Sequence, residues 1–242
     1  SLCFALCIAP SFAQLPLAKA ADEKLYQRVA KVLTKTPLID GHNDIPWAYK
    51  LRANHQLDGL DFSTDLSMLE HPTHTDLPRL IKGQVGGQFW SVFVPITSFP
   101  GAAGDASRVL EQIDFVYRLA SKYPASLEIA MTSSDIIRIH KAGKIASLMG
   151  IEGGHAIENS LGTLRMLYLA GARYMTLTHS KGLRWADSAT DEHRVDGLSP
   201  FGEEVVREMN RLGMLVDLSH VSPEAMHDAL DVSEAPVIFS HS

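Results

Sequence analysis

Cysteine is scarce in this chain of 242 residues. Its two cysteines, Cys3 and Cys7, both lie within the first seven positions. Beyond them no disulfide can staple the fold and no thiolate can hold a metal, so stability must come from a buried core. Long hydrophobic runs are missing too, and no internal stretch is apolar enough to span a membrane. Basic excess is absent: 22 Lys plus Arg against 28 Asp plus Glu leave a net charge of −6. A mildly acidic chain without a basic run offers nucleic acid no electrostatic footprint. What is present, 45% hydrophobic residues and 21% charged, suffices for one large core.

The N-terminus differs from the rest. Residues 2–13 read LCFALCIAPSFA, followed by small residues at Ser11-Phe12-Ala13 and Ala18-Lys19-Ala20. This is the hydrophobic core and cleavage zone of a secretory signal, too short for a permanent span and broken by Pro10. The basic opening is missing, so residues 1–21 are expected to be a truncated signal peptide and linker. Residues 22–242 would form the folded domain, exported to the periplasm or secreted. The alternative is an apolar arm packed on the domain. Lipid attachment at Cys7 is disfavoured, because Phe4-Ala5-Leu6 puts no small residue just before it.

Leu25, Val29, Val32 and Leu33 recur at helical spacing and predict a helix over 22–36. Strands are expected over 38–44, 89–96, 145–151 and 174–178, after Gly213, and over 236–240. Helices are expected over 105–122, 133–142 and 156–170, and after the start signals Ser199-Pro200 and Ser222-Pro223. Residues 50–88 read as a polar excursion, and 180–198 as a flexible surface loop. Apolar strands alternating with helices imply parallel pairing with right-handed crossovers. An open doubly wound sheet would gather ligands at a switch point, not along consecutive strands. The expected fold is therefore α/β, a (β/α)8 TIM barrel truncated after the sixth strand, since closure needs two further strand–helix units.

Five apolar runs end in metal-binding residue types. They lead to His42 and Asp44, to Glu152, to His179, to His220 and to His241. A barrel delivers such residues to one place, the C-terminal mouth of its strands. In His42-Asn43-Asp44 the outer two share a face, although taken alone such a pair is usually a turn. Glu152, in Gly150-Ile151-Glu152-Gly153-Gly154-His155, could bridge two cations or merely cap the next helix. A single strand-end histidine is more often a core residue, but three on successive strands are hard to assign to packing. Four His, one Asp and one Glu exceed one tetrahedral site and suit two metals. Nitrogen and oxygen donors fit zinc, and the set also suits manganese, cobalt or iron. His155 lies past the turn and is expected to be structural or to support the ligands. Arg165 and Arg173 read as solvated helix charges. Asp187 and Asp191 could touch substrate but read rather as residues of the flexible loop, and Trp47 reads as either a pocket wall or a packed aromatic.

The stretches Asp40-Gly41-His42-Asn43-Asp44-Ile45-Pro46-Trp47, Gly150-Ile151-Glu152-Gly153-Gly154-His155, Leu177-Thr178-His179-Ser180, Leu198-Ser199-Pro200-Phe201-Gly202, Asp217-Leu218-Ser219-His220-Val221-Ser222 and Ala235-Pro236-Val237-Ile238-Phe239-Ser240-His241-Ser242 resemble the membrane (renal) dipeptidases. The resemblance runs from about residue 25 to the end. It implies a binuclear zinc enzyme on a (β/α)8 barrel that hydrolyses dipeptides, including those with a C-terminal D-residue. By position, His42 and Asp44 resemble the ligands of one zinc, and Glu152 the carboxylate bridging both. His220 and His241 resemble the ligands of the second zinc. His179 resembles the catalytic histidine that polarises the scissile carbonyl. The family's substrate-carboxylate arginine and proton-transfer aspartate would follow the sixth strand, beyond Ser242, so this chain alone is expected to be inactive. A homodimer is compatible with the resemblance. The disulfides of animal members are absent, and a bacterial member is the simplest expectation. Other binuclear hydrolysis, of lactones or acyl-amino acids, and non-catalytic metal or peptide binding remain the alternatives.

Overall fold

The structure, a computed structural model, describes residues 23–96 and 104–242. The expected signal segment lies outside the described residues. The elements run α1 (Glu23–Leu33), β1 (Leu38–Asp40), α2 (Ile45–Ala53), α3 (Leu77–Lys82), β2 (Val85–Ser91), α4 (Asp105–Lys122), β3 (Leu127–Ile129) and α5 (Ser133–Lys141). They continue with β4 (Ile145–Glu152), α6 (Leu161–Leu169), β5 (Ala172–Thr176), α7 (Pro200–Leu212), β6 (Leu215–Asp217) and α8 (Pro223–Val232). Local chemistry sets the helix starts. Ser199 and Ser222 accept the N–H of Gly202 and Ala225, with proline in each first turn. Thr132 and Asp135 form a reciprocal capping box on α5.

All strand pairs are parallel, in the order β1-β2-β4-β5-β6, with β3 paired to β4. β3 and β5 share the edge of β4 that faces away from β2. β3 takes Ile145–Ser147 and β5 takes Met149–Glu152. Alternation divides the strands between two faces. Phe89, Ala146, Leu148 and Tyr174 pack together on the concave side. Trp90, Met149, Ile151, Met175 and Val216 join the helices in the larger core. The sheet curls so far that a Cβ on Gly41 would lie 2.5 Å from the Ser240 carbonyl oxygen. The architecture is that of part of a (β/α)8 barrel, with period two lifting Ser91, Glu152, Thr176 and Asp217 to its mouth. Among the described residues no helix is long and apolar enough to cross a membrane.

Several boundaries differ from expectation. The second strand is Val85–Ser91, not 89–96, because Gly86 and Gly87 are strand residues and not turn residues. A Cβ at these positions would lie 2.6 Å from Pro37 or Ile39, so the glycines permit close strand packing. β1 stops at Asp40, before its expected end at residue 44. The 50–88 excursion contains the end of α2 and all of α3. β3 was missed, since three residues carry no period. The helix expected over 156–170 is a 3-10 turn, Gly154–Ile157, then α6, with Glu158 and Asn159 in left-handed conformations between them. Residues 236–240 form only a bridge, Asp217 to Ile238. Arg173 lies in β5, stacks on Tyr168 and binds three backbone carbonyls, while Arg165 pairs with Glu208; neither is simply solvated.

Candidate metal centre

Glu152 closes β4 at the barrel mouth and is buried. Gly153 turns the chain with φ 108°, where an added Cβ would press on the His155 ring. The Ser91 hydroxyl donates to Glu152 Oε2 at 3.0 Å. Four imidazoles converge on the same carboxylate. The Nε2 atoms of His220, His241 and His179 lie 3.2, 3.4 and 3.6 Å from Oε1, and that of His42 lies 3.6 Å from Oε2. Burial pushes the Glu152 carboxyl up, but hydrogen bonds from His220 and His241 and the His42 and His179 charges outweigh it, leaving it well below the usual range. Burial lowers His42, yet its bond to Asp44 and the charges of Glu152, Asp44 and Asp217 raise it overall. Burial lowers His179.

The backbone supports of these rings are specific. His42 Nδ1 meets the Tyr174 hydroxyl at 3.1 Å, and Tyr174 is fully buried beneath it. His220 adopts φ 66°, a left-handed conformation that costs a non-glycine residue about 1 kcal/mol or more. Its carbonyl accepts the Ala189 N–H at 2.9 Å and the Thr178 hydroxyl at 3.2 Å, and Ser188 Oγ lies 3.3 Å away. Ser188 also donates to the His179 carbonyl at 2.6 Å. The segment 180–198 is therefore an ordered strap and not the flexible loop expected. Asp187 organises it: fully buried, it accepts the N–H groups of Arg194, Val195 and Gly197 at 2.7, 3.3 and 3.0 Å. Burial raises the Asp187 carboxyl, but these amides carry it below its ordinary value. Asp191 fastens Lys181, Gly182 and Arg194, and its carboxyl falls to about 2 against the cost of burial.

Five of the six candidates gather around one another. Two donor sets lie within 4.8 Å, one of His42, Glu152 and His241 and one of Glu152, His179 and His220, with Glu152 common to both. Asp44 stands at the margin: its Oδ1 is 3.2 Å from His42 Nε2, but its side chain is 63% exposed at the start of α2. His155 is buried away from the cluster, with Nε2 2.9 Å from the Val94 carbonyl. Trp47 packs edge-on against Phe93, which in turn touches the His179 ring, so it belongs to a wall beside the centre. A cleft of about 430 Å³ adjoins His42 and Asp44 between Asp40, Arg52 and residues 72–75. Tyr174, Ser91 and Asp217 support the site and had no assigned role in the sequence, while Asp187, read there as a loop residue, holds the strap together. The DLSH and FSHS stretches were the only trace of Asp217's importance.

The donor chemistry fits a divalent cation. His220 and His241 Nε2 face each other at 2.8 Å. One N–H at most can lie between them, whereas a cation satisfies both lone pairs together with Glu152.

Residues 26–242 match the model of the membrane dipeptidase family, peptidase family M19. The fold is shared with the probable dipeptidase PvdM from Pseudomonas aeruginosa, at 20% identity and TM-score 0.75, over 92% of this chain and 56% of that one. Dipeptidase AC, a metallopeptidase of family M19, aligns at 24% identity and TM-score 0.71, over 86% and 63%. A metallopeptidase from Rhodobacter sphaeroides aligns at 22% identity and TM-score 0.70, over 86% and 65%. The chain thus spans 56% to 65% of the length of these three proteins. At such identities the likeness shows the fold.

Proposed function

Because the chain belongs to the membrane dipeptidase family, peptidase family M19, we propose that the protein is a zinc-dependent dipeptidase that cleaves the peptide bond of dipeptides. The observation that carries this is one buried carboxylate, Glu152, within 3.2–3.6 Å of four histidine nitrogens from four other segments. His42 and Asp44 would hold one metal, His220 and His241 the other, and Glu152 would serve both. Two divalent ions there would supply Lewis acidity and lower the pKa of a water for attack on the carbonyl carbon. His179 stands beside the cluster with its ring 28% exposed. From there it would donate an N–H to the carbonyl oxygen as negative charge develops. Phe93 and Trp47, packed in series against His179, would shield that hydrogen bond from water. Cleavage of dipeptides with a C-terminal D-residue is supported by the Rhodobacter sphaeroides metallopeptidase, which was solved with a phosphinate mimic of L-Ala-D-Ala.

The intact protein, as purified, should contain about two zinc ions, from the ligand count. It should hydrolyse L-Ala-D-Ala, lose that activity to a chelator and regain it with zinc. Blocking the substrate amine or carboxylate should abolish turnover. Chelator-resistant hydrolysis, or equal turnover of blocked substrates and lactones, would refute the assignment. Export to the periplasm or beyond the cell is part of the same proposal, supported by the apolar run at 2–13. Mature exported protein should begin after Ala13 or Ala20, and an intact N-terminus found by mass spectrometry would overturn that.

A further inference from the structure

Asp217, at the end of β6, is fully buried beneath the histidine cluster. Its Oδ1 accepts the backbone N–H groups of Ser219 and Ser240 at 3.1 and 3.0 Å and the Ser219 hydroxyl at 2.9 Å. Its Oδ2 accepts the hydroxyls of Thr176 and Ser240, each at 2.6 Å. Ser240 Oγ is also 2.9 Å from His241 Nδ1. We infer that Asp217, acting through Ser240, is a positioning residue that fixes the tautomer of His241, with the proton on Nδ1 and the lone pair on Nε2.

Hydrogen-bond counting carries the inference. A serine hydroxyl has one proton and two lone pairs. At 2.6 Å from a carboxylate oxygen, the Ser240 proton must point at Asp217, since two oxygen lone pairs would otherwise face each other. Ser240 can then only accept from His241, so Nδ1 carries the ring proton. The second lone pair of Ser240 leaves room for the adjacent Tyr174 hydroxyl without displacing the histidine. His241 Nε2 is left bare, 3.4 Å from Glu152 Oε1 and 2.8 Å from His220 Nε2. A bare nitrogen is the form that binds a metal, and a carboxylate behind the other nitrogen keeps it so. Ser219 holds the same unit from the other side: with its proton on Asp217, its hydroxyl oxygen accepts the His241 backbone N–H at 3.3 Å. Asp217 thus ties the end of β6 to the segment that carries His241, two stretches of chain 24 residues apart by position.

The inference deepens the metal assignment proposed above, and its test separates the two. Two-bond proton–nitrogen NMR of the intact, metal-free, histidine-labelled protein reads the tautomer without metal or turnover. His241 should show a protonated Nδ1 and a bare Nε2. Ser240→Ala removes one hydroxyl and should turn His241 into a mixture of tautomers. Ser240→Thr keeps the hydroxyl and should keep the tautomer. Asp217→Asn presents an amide that donates to Ser240, which reverses the chain of protons and moves the His241 proton to Nε2. Zinc titration of Ser240→Ala should show affinity weakened roughly 10- to 100-fold, with recovery in Ser240→Thr. A protonated Nε2 in the unaltered protein, or a Ser240→Ala variant with unchanged tautomer, would overturn the inference. A fixed tautomer in a protein that binds no zinc would leave the relay standing and remove the metal assignment instead.

Discussion

Replacing Gly150 with alanine tests the geometry under the cluster with a single methyl group. Gly150 and Tyr174 are cross-strand partners on β4 and β5, and both face the concave side of the sheet. A Cβ on residue 150 would overlap Cζ, Cε1 and Cε2 of the Tyr174 ring. The ring has nowhere to go: it is fully buried, lies 5.1 Å from the Phe89 ring, and its hydroxyl is engaged by His42. Overpacking a core commonly costs 1–3 kcal/mol, and an overlap with three ring atoms belongs at the upper end, about 3 kcal/mol. For a domain of this size each kcal/mol lowers Tm by roughly 2–4 °C, so Gly150→Ala should melt about 6–12 °C lower. Because the displaced hydroxyl positions His42, zinc affinity should fall as well. Tyr174→Ala alone opens a cavity worth about 3–5 kcal/mol. The double variant should be markedly less than additive, with a coupling above about 1 kcal/mol. Thermal or urea unfolding measures all four corners of this cycle. A Gly150→Ala protein within about 0.5 kcal/mol of the original, or strict additivity, would show that the ring does not fill the glycine's space.

Glu152→Gln keeps the shape of the side chain but removes the charge shared by four imidazoles; zinc analysis should show both equivalents weakened together, and two tightly held ions would end the bridging assignment. His179→Ala should retain zinc yet lose roughly 100- to 1,000-fold in kcat, the cost of one oxyanion donor, and loss of metal would make His179 a ligand instead. Asp187→Asn should loosen the strap that holds His179 and His220, at a cost of about 2–3 kcal/mol near neutral pH. The Asp187 pKa is depressed in the folded state, so its contribution is present above the unfolded value of about 3.9 and lost as pH falls through the folded value. Urea unfolding should therefore show the gap between the original protein and Asp187→Asn closing below about pH 4, and a gap that does not change with pH would contradict this.

The alternation of apolar strands and helices was readable because each element announces itself locally. The Ser-Pro starts at Ser199 and Ser222 and the stop at Gly213 are matched by the caps of α7 and α8. The candidate residues could be found one run at a time, since an apolar approach is a property of a few consecutive positions, although only Glu152 lies within a strand and the others follow one. The misread segments have the opposite character. Gly86 and Gly87 look like a turn until Pro37 and Ile39 are seen occupying the space of their missing side chains. Asp187 looks like an ordinary loop acid until the chain folds back and delivers three amides to it.

The sequence by itself determined the parallel α/β architecture and the identity of the side chains carried to the strand ends, because both follow from local pattern and residue type. Only the tertiary structure decided which of those side chains meet. Glu152, His42, His179, His220 and His241 come from five segments, and curling of the sheet alone brings them within bonding range of one carboxylate. It also decided what stands behind them. Tyr174 against His42, Ser188 on the carbonyls of His179 and His220, and Asp217 with Ser240 behind His241 are contacts between residues distant in the chain. No periodicity encodes such contacts, because they depend on how neighbouring strands are registered and how tightly the barrel closes.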